Sequence, residues 1–166
     1  MPSYVQFDVW QPSTGSVSGA TVDSAGRVAF PNIPAFMLVN PTSISGNSGA
    51  NKVTTWSASY GYCFNNGGHF DLTNQRFTAP IAGRYFFSAQ LMPSGDANVK
   101  YLVPAVNGTR APTLVLPYLS GGSTRATIDF SIILNLSVGD YVEVQAYAAT
   151  GSSFDNSGYF CGHLVG

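Results

Sequence analysis

The stretch FTAPIAGRYFFSAQL, residues 77–91, decides the fold. After Gly83 the large apolar side chains recur at every second position, at Tyr85, Phe87, Ala89 and Leu91. A period of two places alternate residues on opposite faces of a β-strand, so this pattern predicts a strand with one buried face. Phe86 breaks the alternation, because it is apolar on the face opposite to that set.

A second stretch with the same period lies near the C-terminus. Between Thr127 and Leu136 one face is apolar throughout, and its members are Ile128, Phe130, Ile132, Leu134 and Leu136. Ile133 is the apolar exception on the polar face. The sequence Ser137-Val138-Gly139-Asp140 then predicts a turn, followed by a strand over Tyr141–Tyr147 with Val142, Val144 and Ala146 on one side.

Turn signals separate further short strands. Asn107-Gly108 lies between Tyr101–Val106 and Thr113–Leu116, and two residues that tolerate positive φ predict a hairpin there. No segment shows capped apolar residues at helical spacing. Many short strands without helices indicate a β-sandwich or barrel.

The composition excludes several classes of function. Charged residues make up 9% of the 166 residues, and the net charge is −1, so no basic field exists to attract nucleic acid. A hydrophobic share of 45% argues against disorder. No apolar run is long enough to span a membrane, and the first ten residues lack the features of a secretory signal.

No motif predicts catalysis, a metal site or a cofactor. His69 and His163 stand without a recognisable nucleophile or acid partner, and we expect structural roles for both. Cys63 and Cys161 lack the spacing of a zinc site. Two free thiols are the favoured interpretation of the cysteines, and a disulfide between adjacent strands is the alternative. We expect that the protein is not an enzyme.

The spacing of these strands resembles the globular domain of complement C1q. Phe77–Ala89 is similar to that family's signature of an aromatic, a small-residue–Pro step and Gly-x-Tyr-x-Phe. Four further segments resemble the family in the same order: Pro34-Ala35-Phe36, Val106-Asn107-Gly108, Leu136–Val144 and Phe160–Leu164. The resemblance covers residues 34–166, which we expect to form one domain.

The resemblance implies a ten-stranded jelly-roll β-sandwich of the C1q and tumour-necrosis-factor type, assembled as a homotrimer. Phe86 and Ile133 would then point out of the sandwich, where an interface between copies would cover them. Cys161 and His163 depart from the family, which has Ser and an aromatic there. No collagen-like stalk precedes the domain, which argues against a complement-like secreted role.

Residues 1–33 differ from the rest, since they carry no sustained hydrophobic pattern. They are a loose leader or an arm that docks on a partner, and Phe7, Trp10 and Phe30 favour the docking arm because such rings gain nothing in water. The segment Asp23–Phe36 resembles leaders of C1q-like modules in bacteriophage and large-virus structural proteins.

These features predict a trimeric structural protein on the surface of a virion, either a capsid decoration protein or a short appendage. The arm would bind capsid or tail proteins. One alternative is a tail-fibre tip that binds a host receptor or cell-surface polysaccharide, with Trp56, Tyr60 and Tyr62 as an aromatic platform. A simple strand with aromatics at period two is the favoured interpretation of that stretch. A secreted C1q-like binding module of a host is the other alternative.

Overall fold

A computed structural model describes residues 9–10, 20–30, 32–45, 51–95, 99–110, 118–119 and 127–166. No helix occurs in these ranges, and none of the described segments is a helix that could span a membrane. The chain divides into two compact units, Met1–Ile33 and Pro34–Gly166.

The first unit contains a small antiparallel sheet of three strands in the order β1-β2-β3. These strands are β1 (Val9–Trp10), β2 (Ala20–Val22) and β3 (Val28–Ala29). The β2–β3 hairpin turns at Asp23, whose Oδ1 accepts the backbone N–H groups of Ala25 and Arg27 at 2.9 and 3.0 Å. Hydrogen bonds from the backbone and side chain of Arg27 hold the pKa of the Asp23 carboxyl below its ordinary value, so this turn keeps its ionised cap at neutral pH.

The second unit is a sandwich of two antiparallel sheets. Its strands are β4 (Ala35–Val39), β5 (Ile44–Ser45), β6 (Asn51–Lys52), β7 (Phe64–Asn66), β8 (Phe70–Asp71), β9 (Arg76–Thr78), β10 (Gly83–Gly95), β11 (Lys100–Val106), β12 (Thr109–Arg110), β13 (Tyr118–Leu119), β14 (Ile128–Leu136), β15 (Tyr141–Ala148) and β16 (Ser152–Leu164).

The two sheets have different strand orders. The six-stranded sheet runs β14-β10-β16-β4-β7, and β5 adds to it by pairing with β16. The seven-stranded sheet runs β12-β11-β15-β9-β8, with β13 on β11 and β6 on β15. The all-β jelly-roll sandwich predicted from the sequence is confirmed. The described residues of this unit form thirteen strands rather than the predicted ten, because several edge segments pair over only two residues.

Strand β10 lies between β14 and β16 in the six-stranded sheet and follows the predicted alternation. Tyr85, Phe87, Ala89 and Leu91 are each 0% exposed. Their partners on β14 are Leu134, Ile132, Phe130 and Ile128, which is the apolar set predicted for that strand. Both strands therefore send their regular apolar face into the space between the sheets.

An aromatic cluster fills that space. Phe36, Phe77, Phe87 and Phe160 are buried, and their ring centroids lie between 4.9 and 6.3 Å apart for each contacting pair. Gly162 on β16 lies opposite Phe87, and a Cβ there would come within 2.5 Å of the Phe87 ring. Position 162 must therefore be glycine, because any side chain there would collide with the Phe87 ring.

Two hairpins at one end of the sandwich are tied together through Asp140. Asn107 and Gly108 both have positive φ, as the predicted Asn-Gly turn requires. Asn107 Nδ2 donates to Asp140 Oδ1 at 2.8 Å, and the Ser137 N–H donates to Asp140 Oδ2 at 2.8 Å. These two hydrogen bonds lower the pKa of the Asp140 carboxyl, the one from Asn107 more strongly. The return strand predicted at Thr113–Leu116 lies outside the described residues.

Truncation of a core ring tests the assignment of faces. We expect Phe87→Ala to lower the free energy of unfolding by about 3–5 kcal/mol, because it removes a fully buried ring and leaves a cavity. Phe64→Ala is the matched control, since Phe64 is 44% exposed, and it should cost about 1 kcal/mol or less. Urea unfolding followed by tryptophan fluorescence measures both. Equal costs for the two variants would contradict the assignment.

Candidate functional site

The outer face of the six-stranded sheet, which points away from the core, carries the apolar residues that break the strand patterns. Phe86 on β10 lies in register between Ile133 on β14 and His163 on β16. His163 in turn lies opposite Ala35 on β4. We call these four residues the outer row.

The outer row leaves apolar surface in water. Ile133 is 57% exposed and Phe86 is half-buried, whereas Tyr85 and Phe87 on either side of Phe86 are fully buried. The structure thus brings together the two residues that the sequence singled out for an interface. Whether a partner covers them stays a prediction.

His163 is a member of this row that sequence reasoning assigned only a structural role. Its ring is exposed and contacts the Phe86 ring, with centroids 5.4 Å apart and planes inclined at 43°. Alternation from the buried Phe160 and Gly162 was the available signal, because it places His163 on the outward side. The missing information was the pairing of β16 with β10.

A row of mixed polarity lies beside the outer row. The Ser131 hydroxyl lies 3.1 Å from that of Ser88, which lies 3.3 Å from the Tyr159 hydroxyl. Cys161 lies opposite Ser88, and burial raises the pKa of its thiol, so the thiol is protonated at neutral pH. Cys63 and Cys161 are both free, as the favoured interpretation predicted.

Charged side chains lie at the two ends of this face. Arg84, two residues before Phe86, and Asp129, four residues before Ile133, take outward positions on β10 and β14. Between them the outward positions of these two strands are uncharged. The middle of the face therefore has little electrostatic cost of desolvation, which suits it to a buried contact.

The proposed aromatic platform loses one member, because Trp56 is only 3% exposed. Its ring packs against Phe160 at 5.8 Å, and its backbone N–H donates to Gln75 Oε1 at 2.7 Å. The stretch around it is also not a regular strand, since its pairing is an isolated bridge between Val39 and Ser57. Trp56 belongs to the core and cannot contact a ligand.

Tyr60 and Tyr62 do form an exposed pair. They are 45% and 62% exposed, and their rings stack with centroids 5.7 Å apart. Asn40 Nδ2 donates to the Tyr60 hydroxyl at 2.7 Å, which holds that ring in place. This pair is the part of the predicted platform that remains.

The N-terminal unit carries a second exposed apolar surface. Val22 and Val28 are cross-strand partners that are 40% and 56% exposed, and Phe30 is 55% exposed. Trp10 takes the register position opposite Ala20 on β2. Phe7 lies outside the described residues. We call the three exposed side chains of Val22, Val28 and Phe30 the arm patch.

The histidines and acidic residues do not converge on a metal site. Among the described residues, no group of three or more His, Cys, Asp or Glu side chains is close enough to hold an ion. His69 packs edge-on against Phe77, with centroids 6.5 Å apart, far along the chain from His163. Asp71 instead caps its own turn, with Oδ1 accepting the backbone N–H groups of Thr73 and Asn74.

Comparison with known proteins identifies the family. The C1q domain family model matches residues 40–165. Among solved structures, the globular domain of the zebrafish complement 1qA protein superposes with a TM-score of 0.53 at 19% identity, covering 80% of this chain and 98% of that one. No curated protein matches the sequence.

The structural match at this identity establishes the fold, and the family model spans most of the second unit, from the end of β4 to the end of the chain. Both agree with the two-sheet topology. The family model includes the resembling segments from Phe77 onward, whereas Pro34-Ala35-Phe36 lies before the matched residues. The chain belongs to the C1q domain family.

Proposed function

We propose that this protein is a homotrimeric structural component of a virion surface, attached to the particle through its N-terminal unit. C1q domains are non-enzymatic binding or structural modules that typically form trimers. The observation that carries the proposal is the register pairing of Phe86 with Ile133 on an outward face. An apolar pair in that position is unexplained in a monomer and is explained by contact with another copy.

The physical case for the trimer rests on desolvation. Ile133 is 57% exposed, so covering the rest of its side chain contributes about 1–2 kcal/mol per protomer. Arg84 is the charged side chain on the neighbouring outward position of β10. A threefold ring closes by a heterologous contact, so the outer row of each copy meets a different surface of the next copy. Three such contacts act together in one closed assembly.

The virion role is supported by the N-terminal unit. The segment Asp23–Phe36, which begins in this unit, resembles leaders of C1q-like modules in viral structural proteins. The β2–β3 hairpin of the unit exposes the arm patch. A short sheet with exposed backbone edges can add to a sheet of another protein, and its apolar side chains then fill pockets there. We propose capsid or tail proteins as that partner.

The trimer is tested by one charge on the outer row. In size-exclusion chromatography with light scattering, the wild type should have three times the 17.5 kDa mass of one chain. The Ile133→Asp variant should have the mass of a single chain. The reason is that an unpaired carboxylate is costly to bury. Val138→Asp is the control, because Val138 is 67% exposed in the turn after β14 and should leave the trimer intact.

Circular dichroism of Ile133→Asp must show the wild-type fold for that result to count. A wild-type mass of one chain would refute the trimer. A trimeric Ile133→Asp variant of unchanged stability to dilution would place the interface on another face.

The attachment role is tested with the double variant Val28→Ser, Phe30→Ser. We expect it to remain trimeric but to lose binding to virus particles that lack the protein, because the arm patch no longer buries apolar area. Ala29→Ser is the control, since Ala29 alternates with Val28 and lies on the other face of β3. Deletion of residues 2–30 should act like the double variant. Full decoration of particles by the deleted form would move the attachment surface to the sandwich.

A saccharide-binding tip is the second candidate function, and the exposed Tyr60–Tyr62 stack favours it. Aromatic rings cover the apolar faces of sugars, so Tyr62→Ala should abolish retention on host cell-surface polysaccharide if this function holds. Leu72→Ala is the control, because Leu72 is 44% exposed without an aromatic partner. Binding to cells that is independent of Tyr62 rejects the candidate. Binding to particles but not to cells supports the structural role over this one and over a secreted module.

A further inference from the structure

We infer that the trimer is held together only while His163 is uncharged, so that mild acid separates the three copies. This inference rests on the proposed homotrimer and adds to it a control by pH. It follows from the position of an imidazole in the row of residues that the trimer would bury.

The geometry places His163 in the same cross-strand row as Phe86 and Ile133. Phe86 lies opposite it on β10, and its ring centroid is 5.4 Å from that of His163. Ile133 lies on the far side of Phe86, and Ala35 on β4 lies on the other side of His163. A copy that covers Ile133 and Phe86 therefore also covers the imidazole or lies directly beside it.

The neighbouring side chains offer no counter-charge to a protonated imidazole. On β10 the flanking outward positions are Arg84 and Ser88, and Arg84 is itself a cation. On β4 they are Ala35 and Met37. On β14, Ile133 pairs with Phe86 and Asn135 pairs with Arg84, and both side chains are uncharged. On β16, the neighbouring outward residue Cys161 is an uncharged thiol.

Among the described outward residues of β14, the acidic one is Asp129. It lies four residues before Ile133, at the end of the face opposite to Arg84. A protonated His163 in the closed trimer would thus be desolvated near Arg84. The carboxyl of Gly166, three residues after His163, lies at the Arg84 backbone, whose N–H donates to Gly166 O at 2.8 Å. The charged form of an imidazole is disfavoured by both burial and a nearby cation.

The sign of the pH effect follows from proton linkage. An imidazole takes up a proton in mild acid, and burial in the closed trimer opposes that uptake at His163 while the separated protomers allow it. The species that binds more protons gains as the pH falls, and here that species is the separated protomer. With one His163 per copy, the association constant should fall by up to about a thousandfold per pH unit in mild acid.

The chain supplies its own control, because it contains two histidines and no other side chain whose ordinary titration lies between about pH 5 and 8. His69 packs edge-on against Phe77 and is not a member of the outer row. His69→Gln removes one imidazole and leaves the proposed interface unchanged. His163→Gln keeps a polar side chain of similar length but removes the titration.

The experiment is sedimentation velocity of the full chain at about pH 8 and about pH 5.5, on either side of the imidazole titration. The wild type and His69→Gln should be trimers at the higher pH and single chains at the lower pH. His163→Gln should be a trimer at both. If the glutamine variant fails to assemble, His163→Phe replaces the imidazole by an apolar ring and should be a trimer at both pH values.

Each remaining outcome decides against a specific statement. A wild type that is a single chain at the higher pH refutes the trimer itself, and with it the proposed function. A wild type that is equally trimeric at both pH values, or tighter in acid, refutes only the pH control. A glutamine or phenylalanine variant that still dissociates in acid, or loss of secondary structure in the wild type at the lower pH by circular dichroism, also overturns it.

Discussion

The pairing of β10 with β14 on one side and β16 on the other is the constraint on which the rest of this structure depends. A strand held between two neighbours cannot rotate, so each of its side chains is committed to the core or to the outer face. Tyr85 and Phe87 occupy the core, and a shift of one residue in register would expose both and bury Arg84. The cost of that exchange locks the register as far as Leu91, where a β-bulge shifts the pairing of β10 with β16.

The same constraint creates the proposed interface. Once Phe87 is buried, Phe86 must point outward, and the pairing places it beside Ile133 and His163. No separate structural element is needed to build the outer row. The sheet that completes the core also displays the apolar surface that we propose a second copy covers, so the proposed assembly depends on the fold of the protomer.

The two other surfaces of interest depend on different physics. Tyr60 and Tyr62 are exposed because their loop turns away from the sandwich after Trp56 enters the core beside Phe160. Val22 and Val28 are exposed because a three-stranded sheet with two faces and few residues can cover little of its own apolar surface. The first surface suits a small ligand, and the second suits an extended contact with another protein.

Local chemistry was enough to determine the long strands β10 and β14 and their faces. Alternation in residues 84–91 and 127–136 identified which side chains are buried, and Asn107-Gly108 and Ser137–Asp140 identified the turns, because period and turn conformation are properties of a few adjacent residues. The order of strands in the sheets was available only through the family resemblance. Trp56 shows the limit of local reasoning, since its burial depends on Phe160, a partner more than a hundred residues away.

Membership of the outer row was decided by the tertiary structure. Phe86 and Ile133 could be singled out because each breaks an apolar alternation, but their pairing with each other depends on the β10–β14 register. His163 does not interrupt the alternation of its strand, because a polar side chain is expected at an outward position. The sequence therefore assigned it no function. The proposed role of His163 depends on Phe86, which lies opposite it on β10. Strands β10 and β16 are remote in sequence, so the residue pattern along the chain does not predict that they pair.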